Sequence, residues 1–161
     1  MTIVCNTSPL SNLAAIGQLS LLQQIYGDII IPLAVADEIA KVAAIYTQAA
    51  AVPNLPWIRV QAVNNLTKVQ GLQTRLDIGE CEAIALALEL DAELLIIDEQ
   101  LGRKIAVGEG LDITGLLGVL LEAKNKKLIS TIRPIMNNLI VQARFRISQP
   151  LYDEVLLLAG E

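Results

Sequence analysis

Residues 77–107 read DIGECEAIALALELDAELLIIDEQLGRKIAV, and this stretch decides the fold. Small and apolar side chains run from 78 to 90 with no Gly or Pro after Gly79, which predicts a strong helix. ELLIID at 93–98 predicts a buried strand with an acid at its end, and 99–107 predicts another helix. A short, wholly apolar strand between two helices is the building unit of a parallel sheet covered on both faces.

The same alternation extends outward. MTIVC at the start predicts a buried strand cut off by NTSP, and Ser8 before Pro9 marks a helix start. LSNLAAI and LSLLQQIY predict two short helices, the second ending at Gly27, and DIIIP a second strand. Residues 33–51 predict an Ala-rich helix, with Val35, Ile39, Val42 and Tyr46 at helical spacing. VPNLP breaks it, WIRV predicts a third, edge strand, and 64–74 a polar helix. Downstream, LDITG predicts a short strand, followed by helices over GLLGVLLEAKNK, 131–142 and PLYDEVLLLAG. No linker, repeat or low-complexity tract interrupts the 161 residues. One domain over 1–161 is expected, an α/β fold built as a three-layer α/β/α sandwich around a central parallel sheet.

Composition excludes several chemistries. There is no His, which removes Ser-His-Asp, Cys-His and His-ligated zinc mechanisms. Cys5 and Cys81 show no CxxC or metal-ligand spacing and read as reduced thiols of a cytoplasmic protein. MTIVCNTSPL has no basic region ahead of its apolar run, so no signal peptide is expected, and the apolar runs fall far short of a membrane span. Hydrophobic residues reach 53%, a surplus that predicts a covered surface, in a homodimer or against a partner protein. Net charge is −5, unevenly spread: residues 1–100 carry 4 basic and 11 acidic side chains, residues 101–161 carry 8 and 6. An acidic first part beside a basic second part suits a cation-binding cluster next to a phosphate-tracking surface, although a solvated helix face gives the same count.

Ligands of open parallel sheets collect beyond the carboxyl ends of the strands. The polar residues expected there are Asn6 after the first strand, Asp37 and Glu38 after the second, Glu80 on the central helix and Asp98 after ELLII. Each has an ordinary alternative. Asp77 and Glu80 match a capping box, Asp98 and Asn6 suit helix caps, and Glu38 suits a solvated helix face. Together, carboxylates converging on one edge repel unless a cation sits between them, and Mg²⁺ or Mn²⁺ fits such oxygen donors.

The blocks IVCNTSPLSNLAAIGQLSLL, IPLAVADEI, LDIGECEAIALALELDAELLIIDEQLGRKIA and ITGLLGVLLEAKNK resemble the PIN-domain family in order and spacing over nearly the whole chain. GLLGVLLEAK makes the chain most similar to a bacterial and archaeal branch catalogued as a domain of unknown function. PIN proteins are nucleases of single-stranded RNA, some of DNA, that use a divalent metal held by four acids, and many are the toxins of toxin–antitoxin pairs. The resemblance implies metal ligands at Asn6, Glu38, Glu80 and Asp98, with Glu82, Glu99 and Asp37 in reserve and the family's small hydroxyl at Thr7 or Ser8. Arg103, Lys104, Lys124, Lys126 and Lys127 are candidates to follow the RNA backbone.

Asn6 departs from the pattern. It offers a carbonyl oxygen but no charge, and it cannot act as a base. The expected function is therefore a metal-dependent endoribonuclease, with single-stranded RNA and a small antitoxin as partners. The alternative is a PIN-fold binding module whose catalysis is weakened at Asn6. A phosphoacceptor receiver domain would need an acid pair where Asn6-Thr7 stands, and no GxGxxG supports a dinucleotide enzyme. Aromatic residues are 3%, so base stacking contributes little and sequence recognition is expected to be weak.

Overall fold

Most strand side chains are buried, on alternating faces of the sheet, although Arg59 and Val60 at its edge are exposed. In the computed structural model, which describes residues 1–161, strands β1 (Ile3–Cys5), β2 (Ile29–Pro32), β3 (Ile58–Gln61), β4 (Leu94–Ile96) and β5 (Ile113–Thr114) form one sheet in the order β3-β2-β1-β4-β5. All four pairings are parallel, with Val4 opposite Ile30 and Leu95, and Cys5 opposite Ile96. Ile3, Cys5, Ile29, Ile31 and Ile96 face one apolar cluster; Val4, Ile30, Leu95 and Ile97 face the other. The period-two alternation thus splits the core into two layers.

The helices are α1 (Thr7–Ala15), α2 (Ser20–Tyr26), α3 (Leu33–Val42), α4 (Leu66–Leu72), α5 (Ile78–Glu89), α6 (Gln100–Gly108), α7 (Leu116–Asn125), α8 (Arg133–Gln142) and α9 (Gln149–Leu158). Buried residues of α1, α2, α3, α7, α8 and α9 join the first cluster, and those of α4, α5 and α6 the second. Helix α5 is apolar nearly all round, with Cys81 and 83–87 buried, as a helix set against the middle of a sheet must be. The expected three-layer α/β/α sandwich with an all-parallel sheet is the architecture found. No helix is long and apolar enough to cross a membrane.

The differences are local. The helix expected over 33–51 stops at Val42, and a 3₁₀ segment, Thr47–Asn54, takes over. That segment holds Pro53, which cannot donate to an α-helical ladder, and it turns Ala49 and Val52 into the core. The polar helix shrinks to Leu66–Leu72, its start capped by the Asn65 side chain, which accepts from Lys68 N–H. Helix α1 begins at Thr7, one residue before Ser8.

The chain builds β1, β2 and β3 to one side and then returns to lay β4 and β5 on the other. The direction of construction therefore reverses between β1 and β4, and the crevice beyond their carboxyl ends is where such sheets hold ligands.

Candidate functional site

Asn6 follows β1 directly. Its N–H donates to the Ile96 carbonyl at 2.9 Å, so the ladder between β1 and β4 holds its backbone. It precedes α1, yet its side chain makes no cap bond. Only 6% of the residue is exposed, and Oδ1 has no hydrogen-bond partner. Leaving a buried amide oxygen unpaired costs about 1–3 kcal/mol.

Asp98 lies two residues past β4. It does not cap α6, the helix that follows it, but the more distant α7: Oδ1 accepts from Leu116 N–H at 2.7 Å. Gly115, the residue before α7, has no side chain to do this. The second oxygen, Oδ2, is buried and unpartnered. Burial pushes the Asp98 carboxyl above its usual range, the Leu116 N–H and the nearby Arg103 oppose that, and Glu99 adds to it. Arg103 itself donates from Nη1 to the Ile97 carbonyl at 2.9 Å. A Cβ at Gly115 would lie 2.7 Å from that Nη1 and 2.8 Å from Asp98 Oδ1, so only glycine lets the two groups pack there.

Glu38 and Glu80 come from helices. Glu38, on α3, accepts a hydrogen bond from the Thr7 hydroxyl, which makes Thr7, not Ser8, the hydroxyl beside an acid. Its carboxylate rests over Gly79, where a Cβ would come within 2.7 Å of Oε2. Glu80 is 5% exposed. The capping box at the start of α5 is complete: Asp77 Oδ1 accepts from Glu80 N–H at 2.9 Å, and Glu80 Oε2 accepts from Asp77 N–H at 3.3 Å. Burial, then the charge of Asp77, push the Glu80 carboxyl up to about 7 against that backbone bond, with smaller contributions from Glu99 and Glu38. Glu80 Oε1 faces Gly102 of α6, where a Cβ would sit 3.6 Å away.

Asn6 and Asp98 thus follow adjoining strands, while Glu38 bonds to Thr7, next to Asn6, and rests over Gly79, next to Glu80. The four do not draw together into a closed cluster, and no three His, Cys, Asp or Glu side chains gather closely enough to hold a metal ion. Among the reserve acids, Glu82 caps α3 by accepting from Ala34 N–H at 3.1 Å, while Asp37 and Glu99 are exposed.

The basic candidates divide. Arg103 is at the edge, and Lys104 is exposed on α6. Lys124, Lys126 and Lys127 lie at the far end of α7, roughly 15 Å of helix from Leu116 at 1.5 Å per residue. Lys124 is 3.0 Å from Glu161, and Lys126 is 3.8 Å from Glu122. Sequence reasoning gave no role to Gly79 and Gly115, whose missing Cβ atoms make room for Glu38 and Asp98, or to Gly102, whose missing Cβ makes room for Ile97. It also missed Phe145 and Arg146, which share a cleft of about 640 Å³ with Asp98. Only the distance between chain segments, which a linear pattern does not carry, links those two residues to the edge.

No curated protein and no solved structure matches the chain. A family model described as a PIN domain matches residues 2–161, and the chain therefore belongs to the PIN-domain family.

Proposed function

We propose that this PIN domain is an endonuclease that hydrolyses single-stranded RNA with Mg²⁺ or Mn²⁺. The observation that carries this reading is the pair of buried, unpartnered oxygens, Asn6 Oδ1 and Asp98 Oδ2, at the carboxyl ends of adjoining strands. Native folds rarely leave such atoms unsatisfied without a reason.

The donors suit the divalent ion that PIN domains use. All are oxygens, two have no other partner, and three belong to acids that no cation neutralises by an ion pair. Asn6, Glu38, Glu80 and Asp98 would hold the ion. When bound, it supplies an acidified water and a counter-charge for the scissile phosphate. Asp98 is anchored through Oδ1, which leaves Oδ2 available. Thr7 fixes the carboxylate of Glu38 through its hydroxyl. Glu80 is held at the start of α5 by the bond it accepts from Asp77 N–H. Asn6 contributes an oxygen without charge, and holding one ion requires the acids to draw closer together than they stand.

That requirement, with the neutral Asn6, favours a second reading, a PIN fold retained for binding after catalysis weakened. Cleavage of labelled single-stranded RNA with Mg²⁺ or Mn²⁺, beside EDTA and Asp98→Ala controls, separates the two. Metal-dependent cutting that both controls abolish establishes the nuclease. Cutting that arises only after Asn6→Asp identifies a decayed site. Silence from both proteins leaves the fold alone.

The resemblance to toxin nucleases makes a small antitoxin the expected protein partner. A homodimer is the reading of the apolar side chains left exposed on α8 and α9, Ile140, Val141, Leu157 and Leu158. A light-scattering mass near 17.4 kDa would count against it.

A further inference from the structure

We propose that the turn joining α8 to α9 forms the far wall of the substrate path, with Arg146 holding a phosphate and Phe145 a base of the strand that leaves Asp98. This rests on the RNA-cutting reading of the edge. The cleft of about 640 Å³ runs from Ser8 and Asp98 past Gly115 and Gly118 to Phe145 and Arg146. It is open, as a groove for a flexible polymer must be, and of the four candidate donors it is Asp98 that lines it.

Three observations select this direction. First, Arg146 is exposed, and no carboxylate lies within 4.0 Å of it, although the chain carries 17 acids. Its planar fork suits a phosphate better than a lysine would. Second, the lysines at the end of α7 point to no such path. Lys124 and Lys126 have acid partners, and Lys126 lines a neighbouring cavity with Met1, Glu93 and Asp112 that meets this cleft at Thr114 and Gly118. Third, Phe145 is the only Phe in the chain and lines this cleft, in a protein with 3% aromatic residues.

The backbone of the turn is held at both ends. Arg144 adopts a left-handed backbone (φ +55°), and Phe145 N–H returns to the Leu139 carbonyl at 2.9 Å. Ser148 then caps α9 by accepting from Leu151 N–H at 3.3 Å. A base resting on Phe145 gains stacking that no particular sequence is needed to supply.

The test is binding of a short fluorescent oligouridine by anisotropy, in EDTA, across a series of KCl concentrations, with cleavage measured in parallel. Arg146→Gln is expected to lower the slope of log K against log salt by about 0.7, and with it affinity about fivefold at 0.1 M salt. Arg146→Lys should recover most of the slope, and Lys127→Gln should leave it unchanged. Phe145→Leu should weaken binding about five- to a hundredfold with the slope kept. Phe145 is half-buried, so its thermal unfolding is recorded beside it, while exposed Arg146 carries the decision. If the native protein cuts RNA and Arg146→Gln binds and cuts with unchanged slope and KM, the proposed path falls and the nuclease stands. If the native protein binds with an Arg146-dependent slope but cuts nothing, the path stands and the nuclease reading falls. A native protein that does not bind the oligouridine overturns both, and a slope that responds to Lys127 instead moves the path to the other end of α7.

Discussion

The two ends of the parallel sheet treat their charges in opposite ways. At the amino end, the terminal ammonium group sits 4.0 Å from Glu93, Lys126 pairs with Glu122, and Lys124 pairs with Glu161. Glu161 also accepts from the N–H groups of Ile132 and Arg133. At the carboxyl end, neither Glu38, Glu80 nor Asp98 has an ion-pair partner, and two buried oxygens have no partner at all. One end meets these charges within the chain, although Asp28, Asp91 and Asp112 there make no ion pair. The other holds unmet electrostatic demand, and a fold keeps such demand at a cost where binding uses it.

The largest expected effect separates the ends by chemistry. Asp98→Ala should cut metal-dependent RNA cleavage about 10²–10³-fold, the size usual for losing a group that stabilises developing charge. Lys124→Ala, at the satisfied end, should leave cleavage unchanged. Initial rates on labelled RNA at saturating Mn²⁺ measure both, and equal losses would erase the distinction between the ends.

The next effect reads the same demand as stability. The Glu80 carboxyl titrates near its ordinary 4.5 in the unfolded chain but at about 7 when folded. Between these values the folded state keeps a proton that the unfolded chain releases, so native stability falls as pH rises from about 4.5 to 7. Glu80→Gln keeps a capping-box acceptor and removes the charge. It should exceed the native protein by about 2–3 kcal/mol at pH 8 and match it below pH 4.5. Urea midpoints at the two pH values measure this. Mg²⁺ added at pH 8 should raise the native midpoint and not that of the variant, by the linkage of binding to folding.

A smaller effect isolates geometry from charge. A Cβ at Gly79 would fall 2.7 Å from Glu38 Oε2, whereas one at Gly108 meets nothing within 4 Å. Both changes replace a helical glycine, which favours stability by up to about 1 kcal/mol. Gly79→Ala must push the Glu38 carboxylate off its seat beside Thr7, so cleavage should drop about tenfold with little loss of thermal stability. Gly108→Ala should cut normally. Equal activity in the two variants would show that the position of Glu38 does not matter.

How far the sequence foretold this depends on the range of each interaction. The layers were legible because burial in a parallel sheet imposes apolar strands such as ELLII and an apolar helix such as α5, both local signals. Strand ends located Asn6 and Asp98, whereas Glu38 and Glu80 stand on helices, where an acid has no such local mark. Their ordinary roles were legible only in part. Asp77 and Glu80 form the capping box that four consecutive residues announce. Asp98 instead caps a helix 18 residues further on, and Asn6 caps nothing. The roles of Gly79 and Gly115 depend on side chains that arrive from other elements, so no short window of sequence contains both members of the contact. The same is true of Phe145 and Arg146, brought to Asp98 only after three more helices have packed.

The smallest effect tests the satisfied end. Burial works against the charge of Glu161, but the Ile132 N–H, the Lys124 ammonium and the Arg133 N–H outweigh it and hold the carboxyl below its usual range. A lowered folded value means that the carboxylate contributes stability above its unfolded value of 4.5 and loses it as pH falls through the folded one. Lys124 and Glu161 lie near the surface, where solvent screens an ion pair, so Glu161→Gln should cost less than about 1 kcal/mol at pH 7. Near pH 3 the variant and the native protein should unfold at closer urea midpoints, because the native carboxylate is itself being neutralised. RNA cleavage should not change at either end of that range in which the native protein is active. A loss of cleavage in Glu161→Gln would mean that the amino end, through α7 and Leu116, helps set the position of Asp98, and that the two ends of the sheet are one coupled system.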